Sequence, residues 1–264
     1  MRLPAAYGFY PSDPKVLENE VKKLLVQDIE KHEAIGVISP HAGYFYSGSV
    51  AGAVFSSIKT NKKRFMLFGP NHTGYGSQIA LSNDDWQTPL GVVRNEKGFL
   101  KNLPVSEQAH RYEHSLEVQL PFLQVVFGND IKIIPICLSY MSLQQIENLS
   151  KNLVSKDVFY IASSDFTHFG SMYNYQPVNK TDEENLKYVE KTDRKAIDLI
   201  CKIKPEEFYD FARDKTICGF VPITLLLFIA KQLGAKKGRL IKYSTSYNVH
   251  KDSSFVSYAG ILLM

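Results

Sequence analysis

Four short, nearly unbroken apolar runs constrain the fold of this chain more than any other feature: Ala34–Ser39, Phe65–Phe68, Ile131–Ile136 and Val158–Ala162. Each is too short for a helix and lacks the polar alternation of a half-exposed strand, so each predicts a strand buried on both faces. Helix-period segments lie between them. Asp13-Pro14 opens a helix expected to run to about Lys31, with Val16, Leu17, Val21, Leu24, Leu25 and Ile29 on one face. Ser49–Ile58 is small and apolar, as suits a helix packed closely on a sheet. Glu113–Phe127 reads as a helix kinked or broken at Pro121. Further helices are expected at about Leu143–Leu153, Asp182–Cys201, Pro205–Ala212 and Phe220–Leu233. Ile79–Leu81 and Gly91–Val93 read as two strands around a turn, and Leu240–Tyr247 and Phe255–Leu263 as two closing strands. Buried strands alternating with helices predict a three-layer α/β/α sandwich with a mixed sheet. No Pro/Gly/Ser-rich linker and no internal repeat interrupts the 264 residues. One domain over 1–264 is expected.

Composition removes several function classes. The 31 basic and 27 acidic residues leave a net charge of only +4. The basic clusters Lys62-Lys63-Arg64 and Lys236-Lys237-Gly238-Arg239 read as solvated turns, so no nucleic-acid partner is expected. The longest apolar run, Ile223–Ala230, is interrupted by Thr224 and falls far short of the ~20 residues of a membrane span. Met1–Gly8 has no apolar core of leader length. Three cysteines, Cys137, Cys201 and Cys218, form no CxxC and no even framework. A reducing, cytoplasmic setting is expected.

The chemistry-bearing residues follow the strands. His41 stands in Pro40–Gly48, His72 in Gly69–Gly76, and Asp165 and His168 in Ser163–Gly170. In open α/β sheets, ligands gather at the carboxyl ends of strands. A lone histidine beside a strand is ordinarily structural, but three of seven placed alike point to a convergent site. Neutral imidazole is the commonest metal ligand, and two histidines with a further donor suit a facial site with open positions. Asp165 and His168 read as an acid/base pair with an orienting carboxylate. The glycines of these loops match neither phosphate-binding pattern, GxxxxGK[ST] or GxGxxG, and no lysine accompanies them. Tyr44 is expected on the pocket wall and Tyr46 in a structural role. Cys218 precedes an apolar helix whose N-terminus would favour a thiolate, making it a ligand or a reactive thiol; Cys137 and Cys201 read as structural. His110-Arg111-Tyr112-Glu113-His114 also matches H-x-x-E-H, the signature of an inverted zinc peptidase.

Together, Pro40-His41-Ala42-Gly43-Tyr44, Gly69-Pro70-Asn71-His72, Trp86–Gly91, Glu113-His114-Ser115-Leu116-Glu117, Ser163–His168 and Cys218-Gly219 resemble the Memo family (AmmeMemoRadiSam system protein B-like), in the family's order and over nearly the whole chain. The resemblance implies the fold of the class III extradiol (LigB-type) non-haem iron dioxygenases. It implies metal ligation by His41, His72 and Cys218, with Cys218 where those dioxygenases carry a carboxylate. His168 would be the histidine beside the substrate, with Asp165 next to it. Tyr44, His114 and Asn71 are the expected substrate contacts. Fe(II) is the implied ion, with Cu or Zn favoured by a softer thiolate. The expected activity is oxidoreductase or dioxygenase-like chemistry on a small aromatic or other chelating substrate. A non-catalytic cleft for a peptide or small anion is the alternative. Radical-SAM-associated proteins are partners by resemblance, and self-association is left open.

Overall fold

A computed structural model describes all 264 residues, Met1–Met264. Its strands are β1 (His32–Glu33), β2 (Gly36–Ser39), β3 (Ile58–Lys59), β4 (Arg64–Pro70), β5 (Ile79–Leu81), β6 (Trp86–Thr88), β7 (Gly91–Asn95), β8 (Lys132–Leu138), β9 (Val158–Ser163), β10 (His168–Phe169), β11 (Gly238–Thr245) and β12 (Phe255–Leu263). Its α-helices are α1 (Pro14–Leu24), α2 (Tyr44–Ser56), α3 (Glu107–His110), α4 (Leu120–Phe127), α5 (Leu143–Leu153), α6 (Asp182–Cys201), α7 (Pro205–Ala212) and α8 (Phe220–Gln232). Ten strands form one mixed sheet along the path β10-β12-β2-β9-β4-β8-β7-β6, with β11 on β12 and β5 on β8. The four apolar runs become its parallel centre, β2-β9-β4-β8. β12 flanks β2 antiparallel.

The side-chain period of two divides each central strand between two cores. Along β4, Phe65 and Leu67 enter one core and Met66 and Phe68 the other; Phe159 and Ile161 part from Tyr160 and Ala162 in the same way along β9. Helices α1, α2 and α4 close the first core with Leu17, Val54, Phe55 and Phe122. Helices α5 to α8 close the second, α8 being apolar nearly all round because it is buried nearly all round. This is the three-layer α/β/α sandwich. No helix is long and apolar enough to cross a membrane.

Three local expectations are corrected. Helix α1 ends at Leu24 instead of Lys31. The Val26 N–H is taken by Ser56 Oγ at 2.9 Å, and the end of α1 lies on Gly52, where a Cβ would stand 2.1 Å from the Leu24 carbonyl oxygen. The helix expected over 113–127 is a turn, a 3₁₀ segment at Glu117–Gln119, and then α4. Pro121 sits in the first turn of α4, where a missing N–H costs no hydrogen bond. Finally, β5 pairs with β8, and the hairpin is made by β6 and β7 instead of by the two strands expected to meet around one turn.

The topology creates the crevice. From β2 the chain passes through α2 to β4, leaving a position between them that β9 fills later. The carboxyl ends of β2, β9 and β4 are therefore adjacent at a point where strand order reverses, the place such sheets leave open for ligands. The N-terminal segment crosses this end. Buried Arg2 is ion-paired with Glu117, which also accepts the N–H groups of Ala5 and Ala6 and the Tyr10 hydroxyl. That anchorage holds Phe9 over the crevice, its ring stacked on His114 at 4.3 Å.

Candidate metal centre

His41, His72 and Asp165 each stand two residues beyond the end of their strand, β2, β4 and β9. The topology brings the three loops together. His41 is buried, with Nδ1 2.9 Å from Ser163 Oγ. That hydroxyl donates to the Ser115 carbonyl (2.6 Å) and accepts from Gln119 Nε2 (2.8 Å). The imidazole must therefore donate from Nδ1, which leaves Nε2 as a bare lone pair. His72 is held likewise: Nδ1 donates to Glu113 Oε1 at 2.9 Å, and its backbone N–H donates to Oε2 at 2.6 Å. His114 lies face to face with His72, ring centroids 4.8 Å apart, its Nδ1 3.5 Å from the same Glu113 oxygen. One nitrogen from each of His41, His72 and His114 lies within 4.8 Å of the others, a group that can hold a metal ion.

Cys218 reaches the cluster from the start of α8, with Sγ 3.3 Å from His41 Nε2. Gly219 permits the approach: its N–H donates to Ser164 Oγ, and a Cβ there would meet Ser164 Cβ at 2.4 Å. Burial pushes the Cys218 thiol well above its ordinary range, and the Asp165 charge adds to this. With the His41 proton on Nδ1, the Cys218 thiol is the donor to Nε2, where the helix N-terminus alone would favour a thiolate. A metal ion would displace that proton, as it does for coordinating thiols generally.

Electrostatics favours the neutral form of His41 and His114 but not of His72, which faces a charged carboxylate. Burial, then the neighbouring His72 and His114, hold His41 well below its usual value. Burial lowers His114 as well. Burial opposes the charge of His72, but the hydrogen bond and charge of Glu113 more than offset it and raise this histidine. Burial opposes ionisation of Glu113 also, yet its bond and charge interaction with His72, and the Ser115 N–H, bring it down to about 2. A carboxylate orienting an imidazole whose other nitrogen is free is the usual outer support of a metal ligand.

The remaining expected residues are distributed unevenly. His168 lines the cavity; its Nδ1 lies 3.0 Å from the carbonyls of both Phe166 and Thr216, so it carries the proton there and Nε2 is bare. Those carbonyls, not Asp165, orient His168. Asp165 instead accepts at Oδ1 from the N–H groups of His41 (2.8 Å) and Ala42 (3.2 Å), tying the β2 loop to the β9 loop. Tyr44 is not on the wall: its ring packs on Phe122 in the core and its hydroxyl donates to the Val118 carbonyl. Tyr46 lines the cavity instead. Asn71 folds back on its own loop, accepting from Thr73 Oγ1 and the Gly74 N–H and donating to the Tyr75 carbonyl. His110 is buried against Trp86, and its Nε2 donates to the Ala80 carbonyl. With α3 ending at His110 and Glu113 committed to His72, the H-x-x-E-H residues share neither a helix face nor a metal, and the zinc-peptidase reading fails on this geometry. His114 as a member of the cluster, and Phe9, Tyr173 and Asp252 on the cavity, were not singled out for these places from sequence. For His114 a signal existed in its adjacency to Glu113; the other three carry none along the chain.

The cavity over these groups measures about 420 Å³, within the range of small-molecule sites. Fold and site thus define a mixed α/β protein with a histidine-lined cleft at the strand ends. The family model described as Memo-like protein matches residues 2–262. A MEMO1 family protein of Methanosarcina barkeri is 40% identical, across the whole of both chains. Counterparts from Archaeoglobus fulgidus and Nitrosopumilus maritimus are 37% and 34% identical, covering 98% or more of each chain. The chain belongs to the Memo family.

Proposed function

We propose that the cleft is a metal centre serving oxidoreductase or dioxygenase-like chemistry on a small aromatic or other chelating substrate. The observation that carries this reading is the pair of imidazoles, His41 and His72, whose Nδ1 atoms are committed to Ser163 and Glu113, which leaves Nε2 as the ligating atom of each, that of His41 facing the Cys218 sulfur at 3.3 Å. His114 and Cys218 stand beside them as further donors. His41, His72 and Cys218 form the ligand set, with His114 as a fourth donor. This imidazole–thiolate set fits Fe(II), Cu and Zn better than hard cations. The bound ion would supply Lewis-acid and redox chemistry at the cleft floor. The protein's own part is positional. Asp165 fixes the His41 loop, Phe9 and Tyr46 wall the cleft, and His168 offers a bare Nε2 to a substrate hydroxyl proton. Such a base contributes roughly 10²–10⁴-fold.

The test is metal stoichiometry by plasma mass spectrometry after anaerobic reconstitution with Fe(II), Cu and Zn in competition, for wild type, His72→Ala, His114→Ala and Cys218→Ser. One ion per chain, lost in His72→Ala, is expected, followed by metal-dependent O2 uptake with catechols. If no variant differs from wild type, or no ion is retained, the metal reading fails and the non-catalytic binding cleft replaces it. Loss in His114→Ala with retention in Cys218→Ser would replace the proposed ligand set by the three histidines.

A further inference from the structure

The lining of the cleft carries two carboxylates, one of them at its mouth. None of the residues lining it is lysine or arginine, although the chain carries 31 of them. Its carboxylates are Asp165 on the floor and Asp252 at the rim. Asp165 uses Oδ1 for the His41 and Ala42 N–H groups, and Asp252 uses Oδ1 for the Ser254 N–H, so each has an oxygen without a protein partner. Aromatic rings stand between floor and rim. Phe9 lies on His114, Tyr173 meets His168 edge-on at 5.1 Å, and Tyr46 and Tyr258 complete the wall. The field of the carboxylates reaches these rings: burial raises the Tyr173 hydroxyl, and the charges of Asp165 and Asp252 raise it further. Among the histidines lining the cavity, His250 stands two positions before Asp252.

Aromatic faces beside unpaired carboxylates, with no fixed cation, attract an ammonium group and repel an anion. We propose that the mouth of the cleft selects ligands that carry a protonated amine on a small aromatic body, the ammonium lying between Asp252 and the rings of Tyr46 and Tyr173 and the body reaching inward towards Phe9. This names the substrate class of the proposed metal centre and rests on that reading only in placing substrate in the same cavity. The chelating end of such a molecule would face the histidines and its amine the rim. An anionic ligand, by contrast, would be opposed by the rim and drawn only by a metal ion on the floor.

The experiment uses the full chain without metal, at pH ~8, where an unperturbed imidazole is neutral. Three non-chelating probes of one shape are compared by ligand-observed NMR titration: phenethylamine, phenethyl alcohol and phenylpropionate. Phenethylamine is expected to bind at least ~10-fold more tightly than phenylpropionate, the effect of a close charge pair at a partly solvated site. The preference should weaken as salt is added. Asp252→Asn, which keeps an acceptor for the Ser254 N–H, should bring the amine to within about threefold of the alcohol, and Tyr173→Leu should weaken the amine selectively. Equal affinities, no binding of any probe, or a preference for phenylpropionate overturns the proposal. So does an amine preference unchanged in Asp252→Asn. The metal-loading experiment above is independent. Failure to load metal with the amine preference intact defeats the metal reading alone, and normal loading without the preference defeats this inference alone.

Discussion

Glu113 does at residue scale what no single loop could do alone. It is fully buried, yet stays ionised because His72 gives it two hydrogen bonds and Ser115 a third. In return it fixes the tautomer that leaves His72 Nε2 free. Glu113→Gln keeps the shape and removes the charge. Metal affinity should fall about 10–100-fold in isothermal titration, with the fold intact by circular dichroism; unchanged affinity would deny Glu113 its orienting role. His110 makes a different prediction. Burial, only partly offset by the Ala80 carbonyl, lowers its pKa to about 4. The unfolded chain, titrating near 6.5, then binds more protons between the two values, so stability falls as pH drops through that window and the whole penalty is present below about 4. The loss is ~3 kcal/mol. Urea unfolding at several pH values should show this loss for wild type and a smaller one for His110→Asn. Identical pH slopes would exclude His110 as the source. His41 and His72 were legible as members of the histidine cluster because each follows a buried strand by two positions. Tyr44 was misplaced because a residue in the first turn of a helix faces cleft or core according to how the helix docks, which sequence spacing does not state.

At the scale of elements, hydrophobic periodicity predicted most segments, and two of the failures lie where a side chain captured a backbone group. Ser56 takes the Val26 N–H beyond the end of α1, and Glu113 takes that of Ser115 where a helix was expected. The first capture comes from thirty residues away and cannot be read from the segment that ends; the second is local, but Glu113 is turned to it by its bonds with His72. The α1–α2 contact depends on the missing side chain of Gly52. Gly52→Ala would drive a Cβ into the Leu24 carbonyl, and backbone cannot yield as a flexible side chain would. A destabilisation of ~2–3 kcal/mol is expected in urea unfolding, against ~0.5 or less for Gly43→Ala made as a control, where φ is −53° and a Cβ would meet nothing closer than 3.6 Å. Equal, small effects at both sites would show that α1 moves away freely.

At the scale of the whole molecule, the site's loops are tied to one another: Asp165 holds the His41 loop, Ser163 links His41 to Ser115, and Arg2 locks the N-terminal segment to Glu117. An ion bound there would bind the folded chain and not the unfolded one. At ~100 times its dissociation constant it adds about 2.7 kcal/mol, which for a chain of this size raises Tm by about 5–10 °C. Calorimetry of reconstituted and chelator-treated protein should show that rise, and its absence in His72→Ala. A rise of equal size in the variant would place the ion elsewhere. The sequence by itself determined the layered architecture, because unbroken apolar strands and one-sided helices have few ways to leave water. It also marked the histidine-bearing strand ends, because a parallel sheet exposes only those ends to ligand. Only the tertiary structure decided which groups meet there. Placing β9 between β2 and β4 brings together the loops of His41 and Asp165, more than a hundred residues apart, and other segments bring His114 and Asp252 to the same cleft, with Glu113 buried behind His72. Charge, tautomer and cavity lining depend on distances across the fold, and sequence spacing holds no record of those distances.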